Sequence, residues 1–180
     1  PDELLGVLNK QKGKIIVTSG PTYEEIDDVK VVTNKSSGKQ GRALAIELSA
    51  RGYEVIYIHS ASIDHIPGLD NVSFHSSNDL KNKILENINN TDAIFMTAAV
   101  SDFTVKKSSG KISRSNGNIT LEFIPNEDII ASIKTSYPEI KCIAFSAQVD
   151  DELNFNKINT KNVDYFCLLY TSDAADDRMR

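Results

Sequence analysis

A segment of small and cationic residues precedes the first predicted helix and has the composition of an anion site. Residues 34–41 read Asn-Lys-Ser-Ser-Gly-Lys-Gln-Gly, and Gly20 lies in a Ser-Gly-Pro-Thr turn just after the first predicted strand. Small residues at a helix start allow backbone N–H groups to face an anion, and the two lysines add positive charge. We therefore predict a phosphate- or substrate-binding loop made of Ser36, Ser37, Gly38 and Lys39. The alternative is that the two serines only cap the helix.

The same segment is neither of the two common phosphate-binding motifs. A Walker A loop requires glycine at position 33 and serine or threonine at position 40, where this chain has Thr33 and Gln40. A dinucleotide-binding fingerprint is also excluded, because no Gly-x-Gly-x-x-Gly follows the first predicted strand. If the loop binds an anion, it does so as another kind of site.

A second group of charged residues follows the fourth predicted strand. Asp102 lies just beyond this strand, and a loop containing glycine and serine then carries Lys106, Lys107, Lys111 and Arg114. A carboxylate beside a cationic loop suits a nucleotide, since it can accept hydrogen bonds from the base or bind a metal while the cations contact phosphates. Surface lysines also serve solubility, so that alternative stays open.

Other residues of chemical interest occur further along the chain. Lys157 and Lys161 lie four residues apart on a predicted helix and therefore share one face; a solvated helix face is the alternative. Tyr137 and Lys141 have the spacing of a short-chain dehydrogenase pair, but Pro138 excludes the helix that such a pair needs. The three histidines show no metal-ligand spacing, so the metal ligands stay unassigned.

Short apolar strands alternate with helices along the chain, and these elements must position the candidate residues. The sequence predicts strands at 14–18, 54–58, 72–74, 93–96 and 142–145, and helices at 38–51, 79–89, 128–134 and 151–160. It also predicts an edge strand at 119–123 and the start of a last strand at 163–166. This order predicts an α/β fold: a Rossmann-like, mostly parallel sheet with helices on both faces. In such sheets ligands bind beyond the carboxyl ends of the strands, where all the candidate segments lie.

Composition restricts the classes of protein that the chain can represent. The 180 residues are 40% hydrophobic and 25% charged, as in an ordinary globular domain. No run approaches the roughly 20 apolar residues of a membrane-spanning helix. Twenty lysines and arginines against 25 aspartates and glutamates give a net charge of −5, which argues against a duplex nucleic-acid binder. Two cysteines and no signal peptide predict a reducing, cytoplasmic compartment.

Both ends of the chain carry residues that we assign outside the domain. Residues 167–176 read Cys-Leu-Leu-Tyr-Thr-Ser-Asp-Ala-Ala-Asp, which matches one reading frame of a common transposase sequencing adaptor. We therefore expect 167–180 to be a non-native tail and 13–166 to be a nucleotide-binding domain truncated at its C-terminus. Residues 1–12 begin without methionine and are expected to be a linker or a helix end from an upstream domain.

Taken together, the motifs resemble those of the phosphopantothenate–cysteine ligase family, which in bacteria is commonly fused behind a flavin-dependent decarboxylase. The resemblance covers residues 13–166 in the family's order. Its carriers are Ser19 to Thr22, Ile26-Asp27, Val29, Thr33 to Gly41, Ala98 to Phe103, Lys111-Ile112, Asn126 to Ile129 and Lys161 to Asp164. The long segment that starts at Thr33 is the most specific of these.

The resemblance implies an α/β ligase that joins 4′-phosphopantothenate to L-cysteine in coenzyme A biosynthesis. CTP and Mg²⁺ would be the co-substrate and the cofactor, with an acyl-cytidylate intermediate and with CMP and pyrophosphate as products. The resemblance also implies a homodimer, and FMN in the fused upstream domain.

By position, the family's catalytic residues correspond to Asn34 and Lys111. Asn34 would position the carbonyl of the acyl-cytidylate as an oxyanion-hole group does. Asp102 would contact the cytosine or the ribose, and the lysines would contact the phosphates. The family's nucleotide-binding residues correspond to Gly20, Asp102, Lys111, Glu127, Asp128, Ile129, Ile130, Phe145, Lys157 and Lys161.

Two segments depart from the family pattern, and two other classes of protein stay open. The cationic loop reads Lys111-Ile112-Ser113-Arg114 where the family has Lys-Ile-Lys-Lys, and residues 144–149 lack the family's glutamate. The alternatives are a Rossmann-like NAD(P)-binding oxidoreductase and an inactive nucleotide-binding fragment.

Overall fold

The computed structural model describes residues 12–148 and 163–170, and the main feature of these residues is one parallel sheet. Six strands form it: β1 (Lys14–Ser19), β4 (Glu54–Ser60), β5 (Asp70–Phe74), β6 (Thr91–Met96), β9 (Lys141–Gln148) and β10 (Tyr165–Tyr170). Their order across the sheet is β10-β9-β6-β1-β4-β5, and every neighbouring pair is parallel. The predicted Rossmann-like α/β fold is thus confirmed.

Two short antiparallel ladders lie apart from this sheet. One pairs β2 (Tyr23–Glu25) with β3 (Val31–Thr33), and the other pairs β7 (Phe103–Val105) with β8 (Phe123–Pro125). The predicted edge strand at 119–123 is wrong, because only Phe123 of that segment lies in a strand and β8 pairs with β7. Ile119 and Phe123 are each 48% exposed, so their alternating pattern does not mark a buried sheet face.

Helices cover both faces of the sheet, as predicted. α1 (Lys39–Ala50) lies on one face, where Ala45 packs with Val17 and Tyr57. α2 (Ser77–Asn87) and α3 (Ile129–Ser136) lie on the other, where Ile84 and Ile133 join the larger apolar cluster. Full burial of a side chain of this size contributes about 1.5–3 kcal/mol. None of the helices that the structure describes is long and apolar enough to cross a membrane.

β9 and β10 are the last two strands at one edge of the sheet. Cys142 of β9 is fully buried, as predicted for a core residue, and burial raises its pKa to about 11. The Asp164 carboxylate accepts a hydrogen bond from the Cys142 amide at 2.9 Å and pairs with Lys134 at 2.8 Å. Residues 167–170, which we assign to a non-native tail, continue β10 beside β9. The helix predicted at 151–160 and residues 1–11 and 171–180 lie outside the described residues, so the domain boundaries stay predictions.

Candidate active site

The carboxyl ends of β1 and β6 are joined into one platform by backbone hydrogen bonds. Pro21 and Ala99 form an isolated parallel bridge. The Ala99 amide donates to the Gly20 carbonyl at 2.9 Å, and the Thr22 amide donates to the Ala99 carbonyl at 3.3 Å. Two chain segments separated by more than 70 residues thus present one continuous surface at the edge where ligands bind in open α/β sheets.

Asn34 lies on this platform because the β2–β3 hairpin returns to it. The Thr33 hydroxyl, at the end of β3, donates to the Thr22 carbonyl at 2.8 Å. The Asn34 amide nitrogen donates to the carbonyls of Ala99 at 3.2 Å and Val100 at 3.0 Å. Both amide hydrogens are therefore used by the protein, while Oδ1 has no hydrogen bond to any residue that the structure describes. The free end of this exposed side chain is an acceptor, which differs from the donor role expected of an oxyanion-hole group.

The N-cap of α1 is a glycine in the left-handed conformation and not a serine. The N-cap residue is Gly38, in the left-handed region at φ 69°, and no side chain caps this helix. The capping alternative for Ser36 and Ser37 is therefore excluded. The Ser19 hydroxyl donates to the Gly38 carbonyl at 2.8 Å and fixes the segment beside β1. The first N–H groups of an α-helix have no partner within the helix, which is why helix starts of this kind can bind anions.

Close packing explains why two of these positions are glycine. A Cβ at Gly20 would lie 2.6 Å from Cδ1 of Ile63, and a Cβ at Gly41 would lie 2.7 Å from Cβ of Ser19. Any larger residue would push α1 or the Ile63 loop away from the end of β1. Ile63 was not among the predicted site residues, because its position depends on the path of the loop after β4.

The loop that carries Lys111 docks on the turn of the β2–β3 hairpin. The Ser108 amide donates to the Ile26 carbonyl at 2.9 Å, and the Ile112 amide donates to Oδ2 of Asp27 at 2.8 Å. Lys111 therefore lies near the hairpin turn. Asn34 follows the other end of β3, which is three residues or about 10 Å away at a rise near 3.3 Å per residue.

The four cations of this loop differ in their surroundings. Lys107 is paired with Glu25 at 2.8 Å and with Asp28 at 3.4 Å, so it holds the loop to the hairpin. The remaining three have no ionic partner in the described part of the chain; they are Lys106, Lys111 and Arg114. Lys107 is thus a structural lysine of this loop.

Asp102 and the segment 126–130 lie side by side. The Asn126 amide donates to the Asp102 carbonyl at 2.8 Å, and its side chain donates to the Ser101 carbonyl at 2.9 Å. The Asp102 carboxylate is exposed and has no hydrogen bond within residues 12–148 and 163–170. Asp128 caps α3 by accepting from the Ala131 amide at 3.2 Å. Ile129 and Ile130 are buried in the core, which leaves their backbone rather than their side chains for a ligand.

Glu127 borders a pocket between the start of α2 and the segment before α3. It pairs with Lys81 at 2.6 Å, and this hydrogen bond is the main reason that the pKa of Glu127 is lowered. Lys81 was not predicted, since nothing in the sequence links it to residue 127. The pocket is lined by Ser77, Asn78, Lys81, Asn126, Glu127 and Ile129.

Three predicted ligand-binding residues lie on or beyond β9. Phe145 is half-buried on β9, one residue past the pairing of Ala144 with Met96, so it lies toward the carboxyl end of the sheet. Lys157 and Lys161 lie outside the described residues. Within the described ranges, no group of three or more His, Cys, Asp and Glu side chains is placed to hold a metal ion.

The chain matches the family described as DNA/pantothenate metabolism flavoprotein C-terminal domain over residues 10–177. It is 34% identical over 155 residues to the coenzyme A biosynthesis bifunctional protein CoaBC of Bacillus subtilis, covering 83% of this chain and 38% of that protein. Its identity to the Vibrio cholerae CoaBC protein is 29% over 163 residues, covering 86% and 40%. The chain therefore spans about two fifths of the length of these relatives.

Solved structures agree with the family match. The C-terminal domain of a CoaBC protein aligns with a TM-score of 0.75 and 27% identity, covering 88% of this chain and 77% of that chain. The DNA/pantothenate metabolism flavoprotein of Streptococcus pneumoniae aligns with a TM-score of 0.77 and 26% identity, covering 89% and 83%. The similarity thus extends over most of the fold described above.

Proposed function

The chain belongs to the DNA/pantothenate metabolism flavoprotein C-terminal domain family, and we propose that it is a phosphopantothenate–cysteine ligase of coenzyme A biosynthesis. In this proposal it forms the amide between 4′-phosphopantothenate and L-cysteine at the expense of CTP. The observation that carries the proposal is the position of Asn34. It lies on the platform formed by the ends of β1 and β6, four residues before Gly38, the N-cap of α1. Family membership favours this activity over that of an NAD(P)-binding oxidoreductase.

The first half-reaction activates the substrate carboxylate. A carboxylate oxygen of 4′-phosphopantothenate attacks the α-phosphorus of CTP, the bond to the β-phosphate breaks, and pyrophosphate leaves. Two anions must approach one another in this step, so cations near the phosphates lower the barrier. We assign this task to Lys111 and to the donors of the segment 36–39, with Lys157 and Lys161 as further phosphate contacts.

The nucleotide would lie along the strand ends. The Asp102 carboxylate has no hydrogen bond among the residues that the structure describes and would contact the cytosine or the ribose. The segment that starts at Asn126 lies beside Asp102, so the backbone of 127–130 would contact the nucleotide as well. Gly20 would contact the nucleotide through its backbone at the end of β1, and Phe145 would border the base. Mg²⁺ would bind the phosphates of CTP, where it offsets their charge.

The second half-reaction forms the amide. The cysteine amine attacks the carbonyl carbon of the acyl-cytidylate, the bond to the phosphate oxygen breaks, and CMP leaves as the amine loses a proton. Since the amide hydrogens of Asn34 are held by Ala99 and Val100, we assign its Oδ1 to the incoming amine as a hydrogen-bond acceptor. This role orients the nucleophile and replaces the oxyanion-hole role predicted from the sequence.

A homodimer is part of the proposal. Phe103, Phe123 and Ile124 on the β7–β8 hairpin are 46%, 48% and 45% exposed, and the two phenyl rings meet edge to face at 6.3 Å. On the β2–β3 hairpin, Val29 and Val31 are also exposed, at 64% and 40%. Clustered apolar side chains on a surface mark contact sites. We propose that these hairpins contact a second copy of the chain; an upstream FMN domain and a cytoplasmic location remain predictions.

Nucleotide preference tests the proposal against its alternatives. Thermal unfolding is followed with Mg²⁺ and CTP, ATP or NADPH, since a ligand at 100 times its Kd stabilises the native state by about 2.7 kcal/mol. We expect stabilisation by CTP above ATP and none by NADPH. Stabilisation by NADPH alone would favour the oxidoreductase, and CTP binding without turnover would favour the inactive fragment.

A further inference from the structure

A buried carboxylate joins the hairpin that leads to Asn34 with the loop that carries Lys111. The Asp27 side chain is fully buried in the turn of the β2–β3 hairpin. Its Oδ1 accepts hydrogen bonds from the amides of Val29 and Lys30, both at 2.7 Å, which closes the turn. Its Oδ2 accepts from the Ile112 amide at 2.8 Å, across 85 residues of sequence.

The peptide groups on both sides of Ile112 are held by this arrangement. Asp27 binds the Ile112 amide, which belongs to the peptide bond with Lys111, and it also forms an ion pair with Lys30. The Lys30 ammonium in turn donates to the Ile112 carbonyl at 3.2 Å. The Asp27–Lys30 pair therefore binds both backbone polar groups of the residue directly after Lys111.

The two oxygens of Asp27 serve different segments. An asparagine would still offer Oδ1 to the turn, as asparagine and aspartate both do in turns of this type. It would present N–H hydrogens rather than an acceptor to the Ile112 amide and would lose the ion pair with Lys30. The contact with the loop therefore requires aspartate at this position, whereas the hairpin turn alone would also form with asparagine.

We propose that Asp27 is a positioning residue for Lys111, an inference that rests on the role of Lys111 in the proposed function. Asp27 acts through the Ile112 backbone and touches no reacting atom. Because β3 runs from the Asp27 turn to Asn34, the same carboxylate fixes the loop of Lys111 relative to Asn34. The effect on catalysis comes from geometry, since a misplacement near 1 Å can slow an enzyme about 100-fold.

The test compares D27N, K111A and the double variant by steady-state formation of the amide product. We expect K111A to lower kcat/KM for CTP strongly and D27N to lower it by about 10-fold to 100-fold. The double variant should be no slower than K111A, because Asp27 acts only through Lys111. D70N makes the same substitution at an exposed carboxylate of β5, at the far edge of the sheet, and should stay within twofold of the wild type. Additive losses in the double variant would overturn the inference.

A structural readout identifies the contact itself. Hydrogen exchange of the Ile112 amide should be slow in the wild type and fast in D27N, with the amides of β1 and β6 unchanged. I112P removes the amide hydrogen that residue 112 donates to Asp27. I112A keeps this amide hydrogen and only shortens the side chain. We expect I112P to reproduce the kinetic loss of D27N, even if D27N folds poorly, and I112A to be much milder. Equal losses in both Ile112 variants would refute the role of the hydrogen bond.

The outcomes separate the inference from the proposed function. If K111A leaves kcat/KM for CTP unchanged, the role of Lys111 in the proposed function is wrong and the inference is wrong with it. If K111A is slow while D27N matches the wild type, the inference alone is wrong. Loss of Ile112 protection together with a loss of turnover that is not additive with K111A would support both.

Discussion

Asn34 is the residue on which the proposed amide-forming step depends most directly. Its side chain is held by two carbonyls of the opposite strand end and presents an acceptor. We expect N34A to lower the rate of amide formation by at least about 100-fold, because the cysteine amine loses its orientation. Binding of CTP, measured by calorimetry, should be retained.

The control for this variant is N89A, which truncates an exposed asparagine at the opposite edge of the sheet. It should leave turnover unchanged. Wild-type rates in N34A would refute the role assigned to Asn34, and loss of CTP binding would indicate a structural role instead.

Asp27 gives the protein a specific sensitivity to acid. The Lys30 ammonium lowers the pKa of its carboxyl, burial raises it, and the backbone hydrogen bonds of Ile112, Val29 and Lys30 lower it, so the net pKa lies well below the ordinary 3.8. A lowered pKa stabilises the fold above the ordinary pKa and loses that contribution as pH falls toward the folded value. We expect the free energy of unfolding to fall more steeply below about pH 4 in the wild type than in D27N.

Urea unfolding at a series of pH values measures this slope. D28N is the control, because Asp28 is 56% exposed and lies 3.4 Å from its lysine partner. Parallel curves for the wild type and D27N would show that the carboxylate does not favour the folded state.

The residue types of the segment 34–41 indicate an anion site from the sequence alone. The sequence does not show which distant residues each of the site residues contacts. The segment 34–41 has short-range features that a sequence displays directly. The role of Asp27 depends on Ile112, and the pairing of Glu127 depends on Lys81, which lies 46 residues away. Asp27 is visible in the sequence only as part of the family resemblance, and the loop that docks on it lies 85 residues away.

The start of α1 must approach β1 and β6 closely for the anion loop to form. A Cβ at Gly41 would overlap the Thr97 hydroxyl and lie 2.7 Å from Cβ of Ser19. We expect G41A to destabilise the protein by about 1–3 kcal/mol, as overpacking does, and to raise KM for a phosphate-bearing substrate.

Unfolding in urea and steady-state kinetics measure the two effects. Q40A alters the exposed neighbouring position and should change neither. An unaltered KM in a correctly folded G41A protein would argue against a substrate site at the start of α1.

Long elements were predictable from sequence because their patterns are local. The strands at β1, β4 and β6 and the helices α1 and α2 follow from apolar runs and from a helical spacing of apolar residues. The β2–β3 and β7–β8 ladders contain three residues per strand, too few for a period to be recognised. Their positions depend on contacts with distant segments, such as the hydrogen bond from Ser108 to Ile26.

For the whole molecule, the exposed apolar hairpins predict self-association. We expect the chain to sediment as a dimer and F123E to shift it toward monomer, because a charge replaces an aromatic ring at a contact. A central aromatic residue contributes about 2 kcal/mol or more to such interfaces, so the dimer Kd should rise at least about 10-fold.

I46E is the matched control, since Ile46 is 47% exposed but lies on α1. It should leave the sedimentation coefficient unchanged. A monomeric wild-type chain, or equal effects of the two variants, would argue against the hairpins as the interface.

The fold brings distant segments to one edge of the sheet, and we propose that this edge joins 4′-phosphopantothenate to L-cysteine at the expense of CTP. The most direct measurement is mass spectrometric detection of the products formed from 4′-phosphopantothenate, L-cysteine, CTP and Mg²⁺. We expect one CMP and one pyrophosphate for each amide formed, and no CTP consumption when 4′-phosphopantothenate is omitted. A folded chain that binds CTP but forms neither acyl-cytidylate nor amide would contradict it.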